Sequence, residues 1–339
     1  MMKRLSVLLS VPLIMLLVIS LVISCAPKPK EAVILRLVVP PPPGDWLTDK
    51  DIAMAERFNE RADGEYVIQV FPGESLVKIP EYLDAVRTGA VEMSDVAWGI
   101  YAGLDPRLGA YEIPFLFNNI RASGAAQEAS VELVDPVYQE KFNQKVLASL
   151  TTGSMEMFST KPVKTMDDWE GLLVGAINPQ LAAMTEAIGG APVTVVWTDL
   201  YSNLEKGVID AALNSTQGSI MWRLTDVCSY VTLFNGSFGQ NAYNINLDVW
   251  EAMPKRTQDI LLEEVKVAAE FGNDEFVRLS DEDVETLTAM GVDVYSLPKA
   301  ERDKWYEACR PYIEGQLSGL GDFGGEIKQI ADEANRQFP

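Results

Sequence analysis

The sequence predicts an α/β protein of two lobes with a cleft between them and one long helix spanning both. Three observations predict it. Segments with strand and helix periodicity alternate, separated by short turns rich in Gly and Pro, as βαβ units require. The alternation restarts after Gly153, so the chain holds two such units. Residues 254–289 then read as one mostly helical stretch, interrupted only by Gly272. At 1.5 Å per residue that stretch would reach on the order of 50 Å, more than one lobe needs. A chain of 339 residues, 47% of them hydrophobic, can build cores of this size, which excludes disorder and small disulfide scaffolds.

Each element follows from its residues. Residues 33–39 are apolar and β-branched and predict a buried strand; the prolines at 40–43 and Gly44 then force a loop. Thr48 is the expected cap of a helix whose stripe is Ile52, Ala55, Phe58 and Ala62. Asp63-Gly64 ends it, residues 66–71 form a second strand, and Pro72-Gly73 turns the chain. Pro80 opens a helix that buries Leu83 and Val86 and stops at Gly89, and a third strand covers 91–96. In the second unit, residues 163–174 lead into a strand and 179–188 form a helix. Gly189-Gly190 turns into a short strand at 192–196. A helix capped by Thr198 follows, closed by Gly207, and then a strand at 208–213.

The N-terminus sets the compartment. Lys3 and Arg4 precede an apolar run at 5–23, which closes on Ser24-Cys25. This layout is that of a cleaved signal peptide, 1–24, and its end is similar to a bacterial lipobox. Cys25 would then be the lipid-bearing N-terminus, with 25–32 as a Pro/Lys tether. The alternative is an uncleaved membrane helix. Both place the remaining chain outside the cytoplasmic membrane. Cys228 and Cys309 are expected as buried free thiols, though an oxidising compartment permits a bridge.

Composition removes several functions. The 28 Lys+Arg stand against 49 Asp+Glu, a net charge of −21 that would repel a phosphate backbone, so no nucleic-acid partner is expected. The absence of His excludes Ser-His-Asp and Cys-His nucleophiles, HExxH proteases and most catalytic zinc sites. No Asp-x-Asp-x-Asp-Gly calcium loop occurs, so neither metal nor cofactor is expected.

A set of ordered motifs runs through residues 33–335. They are Leu83-Asp84-Ala85-Val86-Arg87-Thr88-Gly89, Ile113-Pro114-Phe115-Leu116-Phe117, Lys161-Pro162-Val163, Asp168-Trp169-Glu170-Gly171-Leu172, Gly190-Ala191-Pro192-Val193, Asp199-Leu200-Tyr201, Gly207-Val208-Ile209-Asp210, and Asn246 with Met253-Pro254. In order and spacing the chain resembles the solute receptors of tripartite ATP-independent periplasmic (TRAP) transporters, the dicarboxylate-receptor-like DctP family. The resemblance implies a periplasmic-binding-protein-like clamshell that captures a small solute between its lobes. It also implies delivery of that solute to the small and large membrane subunits of a permease. On this reading residues 33–153 with 241–280 form the first lobe, and 154–240 with 281–339 the second.

The same resemblance directs attention to departures in the cleft. Family members hold a carboxylate with an arginine four residues after the Gly of the Asp-x-x-Gly segment; here that position is Gly175. The second arginine of sialic-acid-type members falls at Met155. Bidentate guanidinium–carboxylate pairing has no substitute among the side chains. Both positions are expected to line the cleft. Asn178, Asn214 and Trp197 match ligand-facing positions, and Trp46, Asp95, Trp98 and Glu156 are further candidates. Tryptophan faces and carboxylates without an arginine clamp predict a cationic or neutral solute, such as an amine, a betaine-like compound or a polyol. The alternatives are an organic acid held by Arg223, a sensory binding protein, or an exported hydrolase working with paired carboxylates.

Overall fold

A computed structural model describes residues 32–339. The signal peptide 1–24, Cys25 and all of the tether but Ala32 lie outside the described residues. Among the described residues no helix is long and apolar enough to cross a membrane.

The first half of the fold is built from β1 (Val33–Val39), α1 (Trp46–Arg61), β2 (Tyr66–Pro72), α2 (Tyr82–Thr88) and β3 (Met93–Ala97). Two 3₁₀ segments follow, Gly99–Tyr101 and Pro106–Glu112, and then α3 (Ile120–Ala125) and α4 (Gln127–Phe142). β4 (Gln144–Ser159) carries the chain into the second half. There β5 (Leu173–Ala176), α5 (Pro179–Ile188), β6 (Ala191–Thr194), α6 (Trp197–Glu205), β7 (Ala211–Ser215), α7 (Thr216–Met221) and β8 (Tyr230–Leu233) follow. β9 (Phe238–Asn246) brings the chain back, and α8 (Leu247–Ala252) and the 35-residue α9 (Lys255–Ala289) come next. β10 (Asp293–Ser296), α10 (Lys299–Gly319) and α11 (Asp322–Gln337) complete the chain.

The strands run in the order β2-β1-β3-β9-β4-β7-β5-β6, with β8 on β4 and β10 on β8. β1 and β3 pair in parallel, as do β5 with β6 and β7, which is what crossover helices impose. The join is antiparallel: β9 pairs with both β3 and β4, and β4 continues against β7 and β8. Thus β4 and β9 belong to both lobes, and the register between them slips between Thr151 and Ser154. Gly153 sits in that slip with φ +91°, a conformation that a Cβ would strain.

Three details of the predicted elements differ. Asp45, not Thr48, caps α1 by accepting from Leu47 N at 2.9 Å. The Thr48 hydroxyl instead donates to the carbonyls of Pro41 and Pro42, both at 3.0 Å, and ties down the proline loop. α6 starts at Trp197 without a side-chain cap, so the indole lies in the helix's first turn. Gly272 does not break α9. A Cβ there would stand 2.5 Å from Leu150 Cδ1, so the glycine lets the helix lie close on β4.

The terminal helices divide between the lobes. In α10, Trp305 packs edge-on against Trp169 at 5.2 Å and against Phe234 at 5.1 Å. α11 instead contacts α3 and α4. Asn335 donates to Leu116 O and accepts from Asn118 N, at 2.9 and 2.8 Å, and Asn119 donates to Phe338 O at 3.0 Å. The grouping of 281–339 with the second lobe therefore fails for α11, because its apolar stripe finds its partners in residues 116–142. Cys309 is in the larger buried cluster and Cys228 in the smaller one, and both are free. Burial pushes each thiol up to about 12, where it behaves as an inert apolar side chain.

Candidate solute-binding site

A cavity of ≈ 230 Å³ opens where the two halves face each other. A water needs roughly 10–15 Å³ by the same measure, so the space suits a small organic molecule. Trp46, at the start of α1, forms one wall, its ring 4.9 Å from that of Phe276 on α9, edge to face. Trp197 on α6, Trp222 just past α7, and Met155 on β4 form the others. Asn178 and Asn214 supply polar atoms. Asn178 caps α5 by accepting from Leu181 N at 2.8 Å, which leaves its amide nitrogen to bond Glu112. Asn214 Oδ1 accepts from Ser215 N at 3.0 Å, while its buried Nδ2 has no partner among the described residues.

The charged lining is acidic. Asp45 and Glu112 face the cavity, and among the described residues lining it there is no Lys or Arg. Glu112 ends the second 3₁₀ segment and is 4% exposed. Its carboxylate accepts from Asn178 Nδ2 at 2.5 Å and from Gly99 N at 3.2 Å. A Cβ at position 99 would overlap that carboxylate, so only glycine admits it. Burial raises the Glu112 carboxyl to about 7 against the pull of its backbone donors.

Trp46, Met155, Asn178, Trp197 and Asn214 thus come together in one cavity. Four expected contributors lie elsewhere, each for a physical reason. Asp95 is buried in an ion pair with Lys50 at 3.0 Å; Lys50 also pairs with Asp51 at 2.7 Å and bonds Tyr243. Burial pushes the Asp51 carboxyl up within this network. Trp98 is 1% exposed and packs on Tyr111 and Tyr138 in the first lobe's core. Glu156 alternates with Met155 along β4 and so points away from the cavity. It accepts from Phe234 N at 2.5 Å and Asn235 N at 3.2 Å, while Arg302 donates to the carbonyls of the same two residues. Glu156 and Arg302 therefore clamp the segment between β8 and β9. Gly175 directs its missing side chain at Ile209, Leu200 and Val195, at 2.8, 3.1 and 3.3 Å, and these apolar groups fill the place. Arg223 is on the surface, paired with Asp226 at 2.5 Å.

Sequence reasoning missed Glu112, Trp222 and Phe276. Glu112 had a readable signal: an acid set between Tyr111 and Ile113 just before a long apolar run, where burial of a polar group is the informative event.

The family described as bacterial extracellular solute-binding protein, family 7 (DctP), matches residues 43–318. The chain belongs to this family. It is a solute-binding protein of the extracytoplasmic space and not an enzyme. It is 25% identical over 264 residues to the C4-dicarboxylate-binding protein DctB of Bacillus subtilis, covering 76% of this chain and 74% of the relative. It is 24% identical over 297 residues to the 2,3-diketo-L-gulonate-binding periplasmic protein YiaO of Escherichia coli, covering 84% and 88%. It is 22% identical over 222 residues to the ectoine/5-hydroxyectoine-binding periplasmic protein UehA of Ruegeria pomeroyi, covering 63% and 65%. Among solved structures, DctP7 of Bordetella pertussis, an extracytoplasmic solute receptor binding pyroglutamic acid, superposes with a TM-score of 0.83 at 20% identity. That match covers 89% of this chain and 100% of the other. The two-lobed fold predicted from the sequence is the one these receptors share.

Proposed function

We propose that the chain is the solute receptor of a TRAP transporter and that its cavity takes a cationic or neutral organic solute. The observation that carries this reading is a cavity lined, among the described residues, by three tryptophans, four side-chain amides, two carboxylates and no basic residue. A cation over an aromatic face gains roughly 0.5–2 kcal/mol, and the acidic surface field draws cations inward. The names of DctB and YiaO refer to organic acids, that of UehA to ectoines. Against an organic acid, Arg223 is paired with Asp226 and Lys161 stands 3.8 Å from Asp210, and neither lines the cavity. The receptor closes when solute touches both lobes, since those contacts exist only in the closed form. It then hands the solute to the small and large membrane subunits of its permease, and a lipid on Cys25 keeps it at the membrane.

Thermal-shift screening tests this. An amine, a betaine-like compound or a polyol should stabilise the protein most and be recovered unchanged; a ligand at about 100 times its Kd adds about 2.7 kcal/mol. A dicarboxylate that stabilises more than any of these would overturn the ligand class.

Restoring the family's arginine should not restore its chemistry. Gly175→Arg is expected to destabilise by about 1–3 kcal/mol, because its Cβ enters the space of Ile209 and Leu200. It should confer no dicarboxylate affinity. Calorimetry on the variant checks both, and new dicarboxylate binding at unchanged stability would show that position 175 does face the cavity.

A further inference from the structure

Glu112 raises a question that the general reading leaves open. It is a nearly fully buried carboxylate with no counter-ion among the described residues: its partners are the backbone N–H groups of Gly99 and Gln240 and the Asn178 amide. The titratable groups facing its surroundings are Asp45, across the same cavity, and Tyr138, which burial holds protonated. Neither can neutralise it. Burying an isolated anion is costly, and a fold tolerates this where the missing charge arrives from outside. The site is also built to keep the carboxylate in place. Glycine is needed at 99, and Asn178, from the other lobe, is fixed by its capping bond to α5. The Glu112–Asn178 bond therefore joins the two lobes at the cavity wall, the point where a ligand's charge would favour the closed form most.

We infer that Glu112 is the counter-ion for a protonated N–H group on the solute, so that within the cationic-or-neutral class the receptor selects amines and amidines. The inference rests on the receptor reading above. Asn178 orients the carboxylate, and Trp46, Trp197 and Trp222 surround the cation's apolar remainder. A quaternary ammonium satisfies the tryptophans but leaves Glu112 without a donor, and a polyol leaves it without a charge. The carboxyl sits near neutrality when the cavity is empty, so a cation that binds it drives off a proton. Affinity should therefore climb as the pH rises through about 7 and then level off.

The test is calorimetry and thermal shift on the full receptor. The probes are small protonated amines, their N-methylated quaternary counterparts and alcohols of the same skeleton, measured with wild type and Glu112→Gln. The expected result is binding of the amine about tenfold or more tighter than of either counterpart, with that advantage lost in Glu112→Gln. Titrations of wild type in two buffers of different ionisation enthalpy should show proton release with the amine alone, a readout independent of the variant's folding. Equal binding of amine and quaternary ion, or an unchanged Glu112→Gln, would overturn this assignment while leaving the receptor reading intact. If no compound of any class shifts the protein, both readings fall.

Discussion

Raising the pH from about 5 to about 8 is expected to destabilise the ligand-free receptor, the reverse of what ordinary salt-bridged carboxylates produce. The buried carboxyls of Glu112 and Glu156 are each raised by burial to about 7, and that of the half-buried Asp283 to about 6. In the unfolded chain a glutamate releases its proton near 4.5 and an aspartate near 3.8. Between those values and the folded ones, the folded state holds protons that the unfolded state has lost, so stability falls as pH rises. At 1.36 kcal/mol per pH unit, Glu112 and Glu156 contribute on the order of 3 kcal/mol each at most. The carboxylates held low by partners, such as Asp168 and Glu264, act elsewhere: their contribution is lost only as the pH falls below about 4. Melting curves across the range check this. A flat or rising profile between about pH 5 and 8 would mean that water or a counter-ion reaches these groups.

Two tryptophan substitutions should separate binding from stability. Trp197→Ala is expected to weaken solute binding by about tenfold, roughly 1.4 kcal/mol, because it removes a cavity wall and an aromatic face. Its effect on the melting temperature should be small, since the indole stands in the first turn of α6 and is only partly buried. Trp169→Ala should do the opposite. Its ring is 0% exposed and packs on Trp305, so its loss costs about 3–5 kcal/mol of stability while the folded fraction binds normally. Equal affinity losses in the two variants would mean that the cavity is not the binding site.

Much of the fold was legible in the sequence because its signals are local. The helices α1, the Gly-terminated α2 and the long α9 follow from side-chain spacing, although Ile52 of the expected α1 stripe is exposed and the expected interruption at Gly272 does not occur. The antiparallel join through β4 and β9 was not legible, because crossing between lobes is decided by long-range pairing that leaves no local mark. The same limit explains α11, whose amphipathic stripe says that it must pack but not on which lobe. Asn178, Trp197 and Asn214, which line the cavity, were singled out through the family resemblance rather than through any local signal. Asp95 and Glu156 misled because an acid beside a cleft segment looks alike whether its partner is a solute, Lys50 or a backbone N–H. Gly175 misled differently. A glycine at 175 was readable, but not that Ile209, Leu200 and Val195 pack against it.

The most direct test of an interlobe pocket that holds its solute without a basic residue is a crystal structure of the receptor purified with its solute from cells that make it. The account predicts a molecule lying between Trp46 and Trp197, with a nitrogen in hydrogen-bond reach of Glu112 and a donor or acceptor opposite Asn214. A solute whose carboxylate is paired to an arginine or lysine, or one bound outside this pocket, would contradict it.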